Sequence, residues 1–576
     1  MTLKLNRPLA GPVAVTVALC ASLLTLAAAC PKVKDAPAST TGPAQVNLVF
    51  QGSVRGWVEP CGCTVEPLGG VHRVKAEVDK VRQRGATLVL DAGGLLFDRT
   101  EVPPAAQCQE DARVKLLLAA ARSTGVELTT VGTYDLAKGD AYRAAVLKEA
   151  GITAVSANVE GAAGVVPRAL KDVGGMKVGV TGVTWPEDVP AAPGAEWKSL
   201  RLKDPREALA REVAALRGEG AQLVVVLAQL SRAQVMQLMG AVKGVDLVML
   251  GWEPGESPAS PQEVVPGTWL LAAGAQAQYL GKVAVTVKDP KAPLSYDDNG
   301  ARAAAEAKRV EERIKLMEAQ VADFQARGDE ANVKARQEKI AQLRAQRQAA
   351  TNAGVAPSSA PRAFTFEALP LDSKVASDGA LADQLQAYKT SLPELNARCE
   401  QDLTCPPAPE GKPRYVGTAA CVDCHAEAAD FWKKAVIKDA ARAAKYARVP
   451  GHPNPQGEIG HARAWRTLEE AKATGNRDCI ACHTVGFEQP GGFCKTSEAS
   501  KWAAVGCESC HGPGSAHVDS EEKQDIRLAV PEEHCRECHH VPHIESTESF
   551  VYKEKLKVIL GPGHGAARLK ALLEGK

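Results

Sequence analysis

An α/β domain followed by a mainly α segment is the fold the sequence predicts, on three observations. Between residues 45 and 290, short β-rich apolar runs alternate with amphipathic stretches. From 301 to 350 the apolar spacing turns helical and settles into a seven-residue repeat. Beyond residue 411, a Cys-x-x-Cys-His pentapeptide recurs four times within about 120 residues.

Taken in order, the chain opens with "MTLKLNRP", in which Lys4 and Arg7 precede an apolar run ending in "LLTLAAAC". A charged start, an apolar middle and small residues before a cleavage point make residues 1–29 an export signal. The cysteine that follows, Cys30, resembles that of the bacterial lipoprotein box, although the usual leucine stands one place early. The resemblance implies a lipidated Cys30 as mature N-terminus and membrane anchor; ordinary cleavage after Ala29 is the alternative. Either route leads to the periplasm or cell envelope, where thiols oxidise. Residues 30–44 are small, polar and proline-containing, a tether. Nothing after the signal is apolar for long enough to span a bilayer.

Residues 45–300 form the α/β domain. "VNLVF", "TLVLD", "KVGVTG", "QLVVVLA", "DLVML" and "KVAVTV" are its strands, and "VHRVKAEVDKVRQRG" and "DPREALAREVAALRGEG" are helices that end at glycine. In residues 301–352, Val310, Ile314, Met317, Val321 and Phe324 step by four and three, "RGDE" interrupts, and Val333, Ile340 and Leu343 resume. That pattern is a helical hairpin or coiled coil with a charged exterior. Residues 353–410 complete the domain and link it, through a helical stretch around Ala380 to Thr390, to the last segment, 411–576.

The pentapeptides are Cys421-Cys424-His425, Cys479-Cys482-His483, Cys507-Cys510-His511 and Cys535-Cys538-His539. This pattern attaches c-type haem: two thiols add to the haem vinyl groups and the adjoining imidazole becomes the proximal iron ligand. Four motifs mean four haem c groups. The competing reading is two zinc sites made from paired Cys-x-x-Cys corners. Zinc corners do not require a histidine in fifth place, and here it stands there every time.

Of sixteen cysteines, Cys20 leaves with the signal, Cys30 is the anchor candidate and eight attach haem. Six remain, and Cys399 with Cys405 is the expected disulfide because it closes a short loop before the haem segment. Cys61 and Cys63 of "PCGC" are alternatively metal ligands together with Cys108. A net charge of +1 and 4% aromatic residues offer nucleic acid neither a basic field nor a stacking platform.

Residues 45–395, with the hairpin as an insertion, resemble the metallophosphoesterase (5′-nucleotidase-like) superfamily. The resemblance rests on "LVLDAGGLLF", "TTVGTYDL", "SANVE", "KVGVTGVT", "VDLVMLGWEP" and "LLAAGAQAQYLGKVAVTV", and "EPCGCTVEPLGGVHR" is similar to a periplasmic subgroup. It implies a sandwich of two β-sheets flanked by helices. Catalytic members hold two metal ions with Asp and His. Here those places fall on Ser53, Arg55, Gly94, Thr133, Tyr134, Gln229, Trp252 and Pro254, leaving Asp91, Asp135 and Glu253. No histidine occurs between His72 and His425. The expectation is a phosphoesterase scaffold without phosphoesterase chemistry, serving as a binding or docking module.

The segment from Tyr415 to Gly565 resembles the tetrahaem cytochrome c family that accepts electrons from hydroxylamine oxidoreductase. "YVGTAACVDCH", Trp432, "HARAWRTL", "NRDCIACHTVGF", "AVGCESCHGPGSAH", "CRECHH" and "GPGHG" carry the resemblance. It implies that His461, His517 and His564 are distal ligands, making three irons bis-histidine and leaving one open; His452, His534, His540 and His543 are further candidates for the fourth. The functional expectation is an extracytoplasmic electron carrier that serves redox partner proteins, with no catalytic residue assigned. A haem enzyme acting on a small nitrogen or sulfur compound, and a 5′-nucleotidase-like phosphoesterase, are the alternatives.

Overall fold

The computed structural model describes residues 44–59, 67–185, 200–251, 260–353, 359–435, 437–438, 458–540 and 550–564. Residues 1–29, expected to be an export signal, and Cys30, Cys61, Cys63, Trp252 to Pro254, His452 and His543 lie outside them. Every strand expected from the sequence forms. In chain order the front domain runs β1 (Ala44–Gln51), α1 (Val71–Arg82), β2 (Thr87–Asp91), α2 (Gln107–Thr124), β3 (Val126–Thr129), α3 (Asp140–Ala150) and β4 (Thr153–Val155). Next come β5 (Val159–Glu160), β6 (Val165–Val166), β7 (Ala169–Val173), β8 (Met176–Thr184), β9 (Arg201–Leu202), α4 (Pro205–Gly218), β10 (Leu223–Gln229) and α5 (Arg232–Ala241). It closes with β11 (Leu247–Leu250), β12 (Gln262–Val265), β13 (Thr268–Ala272), β14 (Tyr279–Val287), β15 (Ser295–Tyr296), α6 (Asn299–Ala326), α7 (Glu330–Ala353), β16 (Arg362–Pro370) and α8 (Gly379–Cys399).

Two mixed sheets result, ordered β15-β16-β14-β1-β2-β3-β4-β6 and β12-β13-β11-β10-β8-β7. Side-chain alternation along each strand explains the layering. On β1, Val46, Leu48 and Phe50 enter the core between the sheets, while Val49 faces α1, α2 and α8. On β10, Leu223, Val225 and Leu227 face the same inter-sheet core, while Val224, Val226 and Ala228 face α4 and α5. Strands covered on both faces read as unbroken apolar runs, as "LVVVLA" does. The architecture is a helix–sheet–sheet–helix sandwich. Local chemistry agrees with it: Asp204 caps α4 by accepting from the backbone N–H of Arg206 at 2.8 Å, and Pro205 occupies the first turn.

The hairpin is an insertion between β15 and β16, which pair with each other in parallel. Val310 and Ile314 on α6 pack with Ile340 and Leu343 on α7, and Met317 and Val321 flank them. The turn falls at Arg327 to Asp329, where "RGDE" broke the pattern.

Beyond α8 the architecture changes. The helices are short, from four residues at Ala419–Val422 to nine at Ala426–Lys434. Helices of that length are marginal alone. Among the described residues their one sizeable apolar cluster, Leu468, Ile480, Phe487, Phe493 and Ala499, surrounds the second Cys-x-x-Cys-His motif. Among the described residues no helix is long and apolar enough to cross a membrane.

The disulfides correct the sequence reading. Cys399 does not bond Cys405: it bonds Cys108, and Cys405 bonds Cys494. Cys399 ends α8, which packs along α2 in one apolar cluster, so the thiol at the start of α2 is its neighbour. The linker then carries Cys405 away to the loop after the second motif. Cys108 is therefore not available to Cys61 and Cys63 as a metal ligand.

Candidate haem-binding centre

Each pentapeptide sits on or beside a short helix: Ala419–Val422, Arg477–His483, Cys507–His511 and Glu532–Arg536. One helical turn brings the two thiols of each motif to one face. None of the eight cysteines is in a disulfide.

Three of the four motif histidines face a second imidazole. The rings of His425 and His517 have centroids 6.0 Å apart at an interplanar angle of 30°, those of His511 and His564 are 6.5 Å apart at 19°, and those of His539 and His461 are 6.2 Å apart at 53°. Two metal–imidazole bonds of about 2 Å each, with the ring radii added, place the centres of rings on opposite sides of one metal roughly 6 Å apart. Each pair therefore has the separation of two axial ligands. His483 faces no second histidine among the described residues; its Nδ1 donates to the Ala464 carbonyl at 2.5 Å.

Hydrogen bonds set the ring orientation. A carbonyl can only accept, so the Nδ1 atoms of His483, His511 and His517, bonded to the carbonyls of Ala464, Arg527 (2.6 Å) and Glu522 (2.9 Å), carry the proton. That leaves each Nε2 lone pair for a metal. Burial lowers the pKa of His461 and His564, with the His511 charge adding to the effect at His564. Burial, aided by the charge of His461, brings His539 down to about 4. All three are neutral at physiological pH, the form that ligates. Thiols (haem attachment), proximal imidazoles and facing imidazoles together fit haem c at these sites.

The motifs are close neighbours. The Cys421 thiol hydrogen-bonds to Cys507, and that bond brings Cys507 down to about 7. Burial pushes Cys510 up to about 11, with Cys535 and Cys538 near enough to add to the shift. His534 Nε2 donates to the Ser509 carbonyl at 2.8 Å, joining the third motif to the fourth. Ala464, bonded to His483, opens the helix directly after the turn carrying His461, the partner of His539. The links thus run second, fourth, third, first. Glu508, 2% exposed, holds the centre by accepting from the N–H groups of Gly417 at 2.6 Å, Gly514 at 2.7 Å and Val416 at 3.0 Å. Gly512 and Gly563 have φ of 78° and 85°, which glycine adopts without strain where the chain reverses before His517 and His564.

In the front domain, three of the described residues that the sequence resemblance singled out, Ser53, Gly94 and Gln229, converge at the strand ends. A methyl group on Gly94 would lie 3.3 Å from Ser53 Oγ and 3.6 Å from Gln229 Oε1. Of the two nearby acids, Asp135 is engaged on both oxygens, whereas Asp91 is engaged through Oδ1 only and its buried Oδ2 has no partner among the described residues, like Ser53 Oγ and Gln229 Oε1 beside it. Asp91 accepts from Gly93 N–H at 2.9 Å and Thr129 Oγ1 at 2.7 Å, and burial pushes its carboxyl up to about 7. Asp135 accepts from the N–H groups of Gly132, Leu96 and Gly94 at 2.8, 2.9 and 3.1 Å. Arg55 stacks over Tyr134, 5.2 Å from the ring centre. No group of three or more His, Cys, Asp or Glu suited to a metal occurs among the described residues.

Sequence reasoning missed a buried polar junction joining the front domain to the second motif. Arg477, at the start of that helix, is 3% exposed. It pairs with Glu400 and with Glu488 (2.6 Å), and donates to the Cys494 carbonyl at 3.1 Å. Its guanidinium lies 4.8 Å from the Phe487 ring centre. No periodicity or spacing flags such residues; only the joining of distant chain segments does.

Residues 420–512 match the family model described as cytochrome c554 and c-prime. Over 101 residues the chain is 37% identical to cytochrome c-554 of Nitrosomonas europaea, a stretch that is 17% of this chain and 39% of that protein. The chain thus spans about two fifths of the curated relative it matches. Among solved structures, it is similar to a 5′-nucleotidase precursor from Thermus thermophilus, with a TM-score of 0.41, 19% identity and 74% of each chain covered. It is also similar to the NAD nucleotidase of Haemophilus influenzae, with a TM-score of 0.36 and 17% identity over 43% of this chain and 48% of that one. A calcineurin-like phosphoesterase from Bacillus subtilis gives a TM-score of 0.35 and 17% identity over 43% and 86%.

Proposed function

We propose that this chain is an extracytoplasmic electron-transfer protein that carries four haem c groups, tethered to a membrane through Cys30. The observation that carries the reading is the set of three imidazole pairs at 6.0 to 6.5 Å, each joining a motif histidine to a histidine from elsewhere in the chain. Haem c, when bound, supplies a one-electron iron couple whose potential follows axial ligation, burial and hydrogen bonding. The chain supplies eight thioether positions, His425, His483, His511 and His539 as proximal ligands, and His517, His564 and His461 as distal ligands to the first, third and fourth motifs. Saturated axial positions favour electron transfer over ligand chemistry. The contact order of the motifs supports a relay from the second through the fourth and third to the first.

The front domain acts as a phosphoesterase-like scaffold without the chemistry, presenting the cytochrome to a partner protein. The engaged carboxylate of Asp135 and the lack of any histidine between His72 and His425 support that. His483, with no facing imidazole among the described residues, favours one secondary role, reversible binding of a small ligand such as nitric oxide or nitrite at the second site.

Alkaline pyridine spectra of the mature protein should count four haems, and EPR should show three low-spin centres and one high-spin. His517→Ala should retain four haems and convert one further centre to high spin. A count of zero or one haem sinks the reading.

A further inference from the structure

The second motif differs from the other three in what grips it. Asp478, directly before Cys479, is held by side chains more than 350 positions away in the sequence. Its Oδ2 accepts from Arg113 Nη1 at 2.6 Å and Gln109 Nε2 at 3.2 Å, and Arg99 Nη2 lies 3.6 Å from its Oδ1. Gln109 also donates to Asn476 Oδ1 at 3.0 Å, and accepts from Arg477 N–H at 3.1 Å and Asn396 Nδ2 at 2.9 Å. Gln109 and Arg113 lie on α2 and are 1% and 7% exposed. Arg99 follows β2 on the loop that also carries Gly93 and Gly94. The front domain is therefore built into the mount of the second attachment helix.

Hydrogen bonds alone would make this a clamp, but the groups are charged, and Arg113 and Glu110 are buried while the Asp478 side chain is 31% exposed. In such surroundings a charge acts strongly on any change of charge nearby. We propose that Arg113 and Asp478 form a positioning pair through which the front domain sets the reduction potential of the haem attached at Cys479 and Cys482 and ligated by His483. This rests on the reading that the second motif holds a haem with one axial position free of histidine. The other charges facing the pair are Glu110, which bonds Arg113, and Asp98, which bonds Arg99. Arg477 is compensated separately by Glu400 and Glu488.

Reduction adds an electron, which a nearby anion opposes and a nearby cation favours. Losing the Arg113 charge strips Asp478 of its partner and lowers the potential; losing the Asp478 charge raises it. Loosening of the mount, by contrast, would admit water in both variants and move the potential the same way in each.

The test is a spectroelectrochemical titration of the full-length holoprotein, following the high-spin EPR signal. At fixed applied potential, Arg113→Ala should lower the reduced-to-oxidised ratio of that haem about tenfold and Asp478→Asn raise it about tenfold, a tenfold change being about 59 mV for one electron. The double variant should return close to wild type. The three low-spin haems should stay within about twofold. Should Arg113→Ala lose haem, the isosteric Asp478→Asn decides: an upward shift supports the proposal and no shift overturns it. Single variants that keep four haems and shift together, or not at all, also overturn it. A four-haem wild type with no high-spin signal overturns the reading of His483 and the proposal with it.

Discussion

The two halves of this chain obtain their order from different sources. In the front domain, residues such as Leu223, Val225 and Leu227 are fully buried between sheets, and apolar burial specifies the fold. In the C-terminal segment, the helix Ala419–Val422 buries no residue at all, and neither does Glu532–Arg536. Order there comes from one apolar cluster around the second motif, the buried Arg477 and Glu508, a disulfide, and thiols and imidazoles placed for a cofactor. A sandwich of this kind can fold from its own core; a string of short helices needs its ligand.

The largest expected effect follows directly. Cys507→Ala with Cys510→Ala removes the attachment point at the third motif, which contacts both the first and the fourth. Limited proteolysis should then cut the segment between residues 411 and 564 readily while leaving the front domain intact. Equal protection of the two halves would show that the protein core alone orders the segment, and the contrast between them would vanish.

A smaller and opposite effect is expected in the sandwich. Leu227, 0% exposed on β10, lies between sheets too regular to collapse around a void. Leu227→Ala should destabilise the front domain by about 2–5 kcal/mol in denaturant titrations. The haem spectra should persist through concentrations at which the front domain remains folded, since the apolar core around β10 is built from front-domain residues.

The same contrast governs what could be read without coordinates. Short apolar runs gave away β1, β2, β8, β10, β11 and β14, because buried strands leave a mark in the sequence, whereas strands of two or three residues such as β4, β5, β6 and β9 did not. The hairpin was legible at Val310, Ile314, Ile340 and Leu343 for the matching reason at helical period. Motif cysteines and histidines were legible as local chemistry, yet the pairing of His517 with His425 and of His461 with His539 was not, since nothing local encodes which imidazoles face. The disulfides failed likewise: proximity in sequence favoured Cys399 with Cys405, whereas packing of α8 on α2 brought in Cys108 from 291 residues away. Asp478 looked like one more polar residue beside a motif. Its importance lies in Arg113 and Gln109, which only the assembled fold places there.

The smallest expected effect concerns the strand-end cleft, where the comparison can be sharpened by a measured absence. A ligand that binds only the folded state raises stability in proportion to the logarithm of its concentration over Kd. Mn²⁺ or Zn²⁺ at about a hundred times the Kd of a working centre would add about 2.7 kcal/mol. Here Asp135 already accepts three backbone N–H groups, and Asp91 is held toward its protonated form by burial. A dication would have to displace those donors and find nitrogen ligands that Ser53, Gly94 and Gln229 do not offer. The front domain should therefore unfold at the same denaturant concentration with and without the metal, and nucleotide hydrolysis should stay at the background rate. Metal-dependent stabilisation together with turnover would mean that the cleft rebuilds a centre from residues around it, and the front half would then be a second active region rather than a mount for the cytochrome.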